Sequence, residues 1–260
     1  MFFSPGFAPL LFRNNRTITF NKYRDIEFRQ QDGDVGTAFT SVGWGLSIDH
    51  QKPSDRKGYL LPEPDNRSVN GLPIVGMLGR DILPDGAVVN LDLPGRRVTI
   101  SAPPVNCPTF SRPLLAHSID MQQEILLVPI KINGTLVDAV LEPDLPVSIL
   151  PREVARKTGI SDADLENDPS VVTKFGRGVL GRRHQVNTLD VGDVQLQKFA
   201  FDVEDNVTNA MLGANFFDFG QGIFDFQNQK FLFKQTTRIL PAPTNMHFDQ
   251  TKVVYIRIDE

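Results

Sequence analysis

Twice along this chain a Met-Leu-Gly turn leads into a hairpin that ends on aspartate and then into a closing strand. The first copy runs Met77-Leu78-Gly79-Arg80-Asp81-Ile82-Leu83, Val89-Asn90-Leu91-Asp92-Leu93 and Arg97-Val98-Thr99-Ile100. The second runs Met211-Leu212-Gly213-Ala214-Asn215-Phe216-Phe217, Ile223-Phe224-Asp225-Phe226 and Lys230-Phe231-Leu232-Phe233. One gap aligns them, and their glycines stand 134 residues apart. A repeat at domain-scale spacing predicts two similar lobes, and 260 residues leave room for both.

Short β-branched or aromatic runs dominate the rest of the chain. They include Thr17–Phe20, Leu126–Ile132, Val137–Leu141 and Lys198–Val203, and turn residues bound them. Ile130-Lys131-Ile132-Asn133-Gly134-Thr135-Leu136-Val137 predicts a tight hairpin, because Asn-Gly supplies two positive φ angles. The only helix predicted is Pro151–Thr158, with proline early and Gly159 after its end. Four prolines within Ser101–Gln123 mark a connection between lobes. The reading is therefore all-β with few short helices: an incomplete lobe over 1–105, a linker over 106–123, a second lobe over 124–238 and a tail over 239–260. The polar stretch Arg29–Asn70 reads as long loops or an inserted hairpin, and Val253–Ile258 in the tail as a further edge strand.

Composition narrows the function classes. With 27 basic against 31 acidic residues the net charge is −4, which argues against nucleic acid as a partner. Cys107 is the sole cysteine, so neither an intramolecular disulfide nor a thiolate metal site is available. His50, His117, His184 and His247 show no metal-ligand spacing, so no metal and no cofactor are expected. No apolar run approaches the length of a transmembrane helix and the opening residues lack a basic leader, so a soluble chain is expected.

The second half resembles one lobe of a retropepsin-type aspartic peptidase, in the manner of bacterial tandem aspartyl-protease-family proteins. Val128-Pro129-Ile130 through Asn133-Gly134 and then Val137–Leu141 correspond to the opening strands. Glu142-Pro143-Asp144 falls where the family places Asp-Thr-Gly, ahead of Leu145–Leu150. A glycine-rich, flap-like stretch follows at Lys174-Phe175-Gly176-Arg177-Gly178, and Met211-Leu212-Gly213 closes the lobe beside the catalytic loop. The resemblance implies closed-barrel lobes, a peptide or protein segment as ligand, and flap contacts from Phe175, Gly176, Gly178 and Leu180. It leaves open a homodimer and a secreted or periplasmic location.

Catalysis in that family needs two carboxylates sharing one proton around a water, one acting as base and the other as acid. Glu142 keeps a carboxylate but its extra methylene displaces the oxygens. Pro143 removes a bracing hydroxyl and a backbone donor. Asp144 stands where a glycine eases a tight turn. In the first half, Asp34-Val35-Gly36-Thr37 echoes the motif, yet polar residues precede it and Gly79 lies only 45 residues on, against 71 from Glu142 to Gly213. The candidate catalytic residues are thus Glu142, Asp144 and Asp34. The leading expectation is a degenerate homologue that binds extended peptides in an inter-lobe groove. The alternatives are an active endopeptidase using Glu142 with a second carboxylate or through dimerisation, and a structural β protein without a groove.

Overall fold

A computed structural model describes residues 2–3, 11–13, 22–29, 35–46, 54–61, 68–69, 72–73, 76–79, 83, 86–95, 97–101, 114–115, 117–118, 126–143, 145–172 and 180–236. Its strands are β1 (Phe2–Phe3), β2 (Leu11–Arg13), β3 (Asp25–Arg29), β4 (Val35–Leu46), β5 (Ser54–Leu61), β6 (Ser68–Val69), β7 (Leu72–Pro73) and β8 (Gly76–Leu78). They continue with β9 (Val88–Asp92), β10 (Arg97–Ser101), β11 (Leu114–Leu115), β12 (His117–Ser118), β13 (Leu126–Ile132), β14 (Thr135–Leu141) and β15 (Ile149–Pro151). After helices α1 (Arg152–Lys157) and α2 (Asp162–Asn167) come β16 (Ser170–Val172), β17 (Leu180–Val191), β18 (Val194–Glu204) and β19 (Ala210–Leu212). Helix α3 (Ala214–Phe217), β20 (Gly220–Asp225) and β21 (Lys230–Gln235) complete the described chain.

The fold is all-β. In the second half β13, β14, β19, β15, β18 and β17 follow one another as neighbours, and β17 pairs back onto β13, closing a six-strand ring. The hairpin that begins the ring turns on Asn133 and Gly134, with φ of 49° and 81°, the left-handed pair a two-residue turn requires. Asn133 also fastens the closure. Its Oδ1 accepts from the backbone N–H of Asn187 at 2.9 Å and of Thr188 at 3.2 Å.

Phenylalanines fill the ring and the sheet beneath it. Phe199, Phe201, Phe216, Phe217, Phe231 and Phe233 are fully buried, and Phe216 stacks on Phe233 at 4.4 Å between centroids. The two repeated hairpins join in one five-stranded sheet ordered β10-β9-β20-β21-β11. Val89 and Leu91 of β9 consequently share the main core with residues of the second half.

Several local elements differ from the sequence-based expectation. Residues 152–157 form the predicted helix, with Pro151 as its N-cap, but α2 and α3 were not foreseen. Helix α2 starts on a capping box: Ser161 Oγ accepts from the Asp164 N–H at 3.1 Å, and the Ser161 N–H donates to the Asp164 carboxylate at 2.9 Å. Within the polar stretch, β4 and β5 pair as a long antiparallel hairpin with an irregularity between Gly43 and Leu46. The connection between the halves holds β11, which pairs with β21, and β12, which pairs with β13. The strand expected at Thr17–Phe20 and the tail strand at Val253–Ile258 lie outside the described residues.

Candidate active site

Strand β19 carries the apolar pair Met211-Leu212 between two neighbours of opposite sense. It runs parallel to β14, with Leu141 opposite Leu212, and antiparallel to β15, with Ile149 opposite Met211. The connection 142–148 must therefore leave β14, pass the end of β19 and return along its other side. Backbone bonds hold this crossing. The Glu142 N–H donates to Leu212 O at 2.9 Å, the Leu145 N–H to Glu142 O at 2.9 Å, and the Ala214 N–H to Leu145 O at 2.6 Å.

Gly213 is the residue the crossing demands. A Cβ there would stand 2.7 Å from the carbonyl carbon of Val147 and 2.8 Å from the oxygens of Leu145 and Val147. Its φ is −88°, so close approach of the two segments, and not a left-handed backbone, requires the missing side chain.

The position of Glu142 follows from this threading. It is 8% exposed, one residue past the last rung of the β14–β19 ladder and next to the buried Pro143. Asp144 lies outside the described residues, as does Asp34. Of the four flap candidates, Phe175, Gly176 and Gly178 also lie outside them; the backbone of Leu180 begins β17, opposite Val172. The structure thus brings Glu142 to the crossing beside Gly213.

A polar brace that the sequence reading missed lies directly behind. Ser148, fully buried, donates from Oγ to Asn215 Oδ1 at 2.7 Å and accepts from the Gly213 N–H at 2.9 Å. The Ser148 N–H donates to the same Asn215 oxygen at 2.7 Å, and Asn215 Nδ2 donates to Ala200 O at 2.9 Å. One hydroxyl and one amide thereby tie the 142–148 connection to the turn after β19 and to β18. The only sequence signal was a serine and an asparagine 67 residues apart, a separation that no local pattern reports.

Arg182 and Arg183, which follow the flap-like stretch in sequence, are used inside the fold. Arg183 makes a bidentate pair with Asp202, at 2.8 and 3.0 Å. Arg182 donates to Asp168 O and to Ser170 Oγ, and His184 Nδ1 lies 2.7 Å from Asp168 Oδ2. The Arg182 and His184 contacts fasten the end of α2 and β16 to β17, and the Arg183 pair joins β17 to β18. Arg177 lies outside the described residues.

Residues 128–216 match the family model described as aspartyl protease. This segment is similar to the aspartyl-protease family. It contains the closed ring apart from its first residues, together with the crossing at Gly213 and Glu142. A crystal structure of a retropepsin-like aspartic protease from Rickettsia conorii is similar over 46% of this chain and 89% of that one, at 15% identity and a TM-score of 0.37. No curated protein sequence matches the chain. The family's chemistry is hydrolytic. Among the described residues no helix is long and apolar enough to cross a membrane.

Proposed function

We propose that this protein binds extended peptide segments at the crossing beside Gly213 and cuts them poorly or not at all. The observation that carries the reading is the buried pair Glu142-Pro143 at the end of β14, where the family's chemistry calls for an aspartate followed by a hydroxyl residue. A glutamate there keeps the charge but moves its oxygens, and a displacement of roughly an ångström can lower a rate about 10²-fold. Proline has neither hydroxyl nor N–H with which to brace a facing loop. An extended ligand needs only a groove and backbone partners, which such a change leaves in place.

Screening the purified chain against arrays of extended peptides, with mass spectrometry of the peptides afterwards, tests the reading. The expected outcome is reproducible binding with intact peptides at acid and neutral pH. Cleavage that disappears in Glu142→Gln would establish an active endopeptidase instead. Absence of any binding would establish a structural β protein. Replacing residues 142–144 with Asp-Thr-Gly should leave the chain inactive, since one restored aspartate supplies only half of an acid–base pair.

A further inference from the structure

Five strands of the second half lie side by side in the order β14-β19-β15-β18-β17. Their registers join end to end. Val140 pairs with Met211, Met211 with Ile149, Ile149 with Asp202, and Asp202 with Arg183. Residues directly opposite each other on neighbouring strands share a face, so these five side chains form one row across the sheet. Val140, Met211 and Ile149 belong to one buried apolar cluster, against which Leu145 packs. The row therefore runs from apolar residues at the crossing to an ion pair that ends on β17.

That ion pair is confined. Asp202 is 5% exposed and the side chain of Arg183 is 23% exposed. A carboxylate so far removed from water is stable only with partners, and taking a partner away is strongly destabilising. Arg183 serves both oxygens: Nε donates to Asp202 Oδ1 at 2.8 Å and Nη2 to Oδ2 at 3.0 Å. The planar fork fixes the orientation of the carboxylate as well as its distance.

Asp202 also reaches the crossing through its backbone. Its N–H donates to Ser148 O at 2.9 Å. Ser148 is the residue whose hydroxyl accepts from the Gly213 N–H and donates to Asn215. Its neighbour Ile149 is the partner of Asp202 in the row. Turning the Asp202 carboxylate toward water requires β18 to shift at this residue, and the bond to Ser148 shifts with it.

We infer that Arg183 is a positioning residue for the peptide site: acting through Asp202, it holds Ser148 and the arm that returns from the crossing, and so sets peptide affinity from a strand two places beyond β15. The inference rests on the proposed reading of the crossing as the site of peptide binding.

The test compares Arg183→Gln, and Arg183→Gln combined with Asp202→Asn, with the parent chain. The first readout is hydrogen exchange of single amides by NMR. In Arg183→Gln the Gly213 and Asp202 amides are expected to exchange about tenfold faster, while the Thr188 amide, held by Asn133 elsewhere on β17, keeps its rate. The double variant replaces the ion pair with two neutral amides that can bond each other, and its Gly213 amide should return to within about threefold of the parent. The second readout is calorimetric affinity for pepstatin, an extended peptide analogue, expected to weaken about fivefold in Arg183→Gln and to recover in the double variant. Equal acceleration at Gly213 and Thr188 would reduce Arg183 to general support of the fold and overturn the inference. An unchanged Gly213 amide would do the same, as would unchanged affinity where the parent binds pepstatin. Should Arg183→Gln not fold, Arg183→Lys keeps the charge, loses the bidentate geometry and is read in the same way. Selective exchange in a chain whose parent does not bind pepstatin would count against the reading of function and still support the positioning, so the two fail separately.

Discussion

The connection from β1 to β2 and the connection from β14 to β15 span the same number of residues and flank equivalent central strands. They differ in what they carry. The second has Glu142 at its first place and Ser148 at its last, where the sequence of the first has Ser4 and Leu10. Past the central strand the second has Asn215 to receive Ser148, and the repeat sets Asp81 there in the first half. Strand order and loop length are properties of the ladder, which tolerates many side chains. A carboxylate or a buried hydrogen-bonded brace is a property of single positions, and one substitution removes it. The shape of such a lobe can therefore persist while its chemistry diverges.

The largest effect should come from closing the crossing. Gly213→Ala puts a methyl against the backbone of Val147 and is expected to destabilise by about 3 kcal/mol, read by chemical denaturation. Gly79→Ala sharpens the comparison: an equal loss means the first crossing is as tight, and a small loss means that the tightness is special to the second.

The brace comes next. Ser148→Ala leaves the Gly213 N–H and the Asn215 amide short of a partner and should lower stability by about 2 kcal/mol. Restoration by Ser148→Thr would show that the hydroxyl, and not its size, is what the second connection needs. An unchanged denaturation midpoint in Ser148→Ala would remove the brace as a difference between the halves.

The smallest effect is one of pH. Hydrogen bonds from the Ser161 side chain and backbone hold the Asp164 carboxyl below its ordinary value, and those from Arg156 and then Arg152 do so for Asp162. Because both values are depressed in the folded chain, their contribution is complete above the ordinary carboxylate range and disappears as pH falls through the folded values. Amide protection over 162–167, taken relative to intrinsic exchange at each pH, should be steady from neutral pH down to about pH 4 and fall below it.

Much of the fold was legible because its signals are local. Asn133-Gly134 dictates its own turn, and the Met-Leu-Gly repeat announces two related units. The hairpin of β4 and β5 was not legible. Val35–Leu46 is rich in small and polar residues and Ser54–Leu61 opens with charge, so neither run has strong strand propensity. Pairing between them makes them strands. Helix α2 did carry a readable signature in Ser161 and Asp164, but six residues are too few to show helical periodicity. Glu142 could be singled out as a candidate because the apolar strand before it and the turn after it are sequence features. Ser148 and Asn215 were not, because nothing local marks a hydrogen bond across 67 residues.

By itself the sequence determined the Asn133-Gly134 hairpin, the helix after Pro151, the repeated Met-Leu-Gly motif and the odd tripeptide at 142–144, since each depends on neighbours along the backbone. Tertiary structure alone decided which strands lie side by side and that β9 and β20 pair across the two halves. Those are matters of register. Strand pairing sets register through contacts far apart in the chain, and shifting it by one residue would exchange every inward side chain for an outward one.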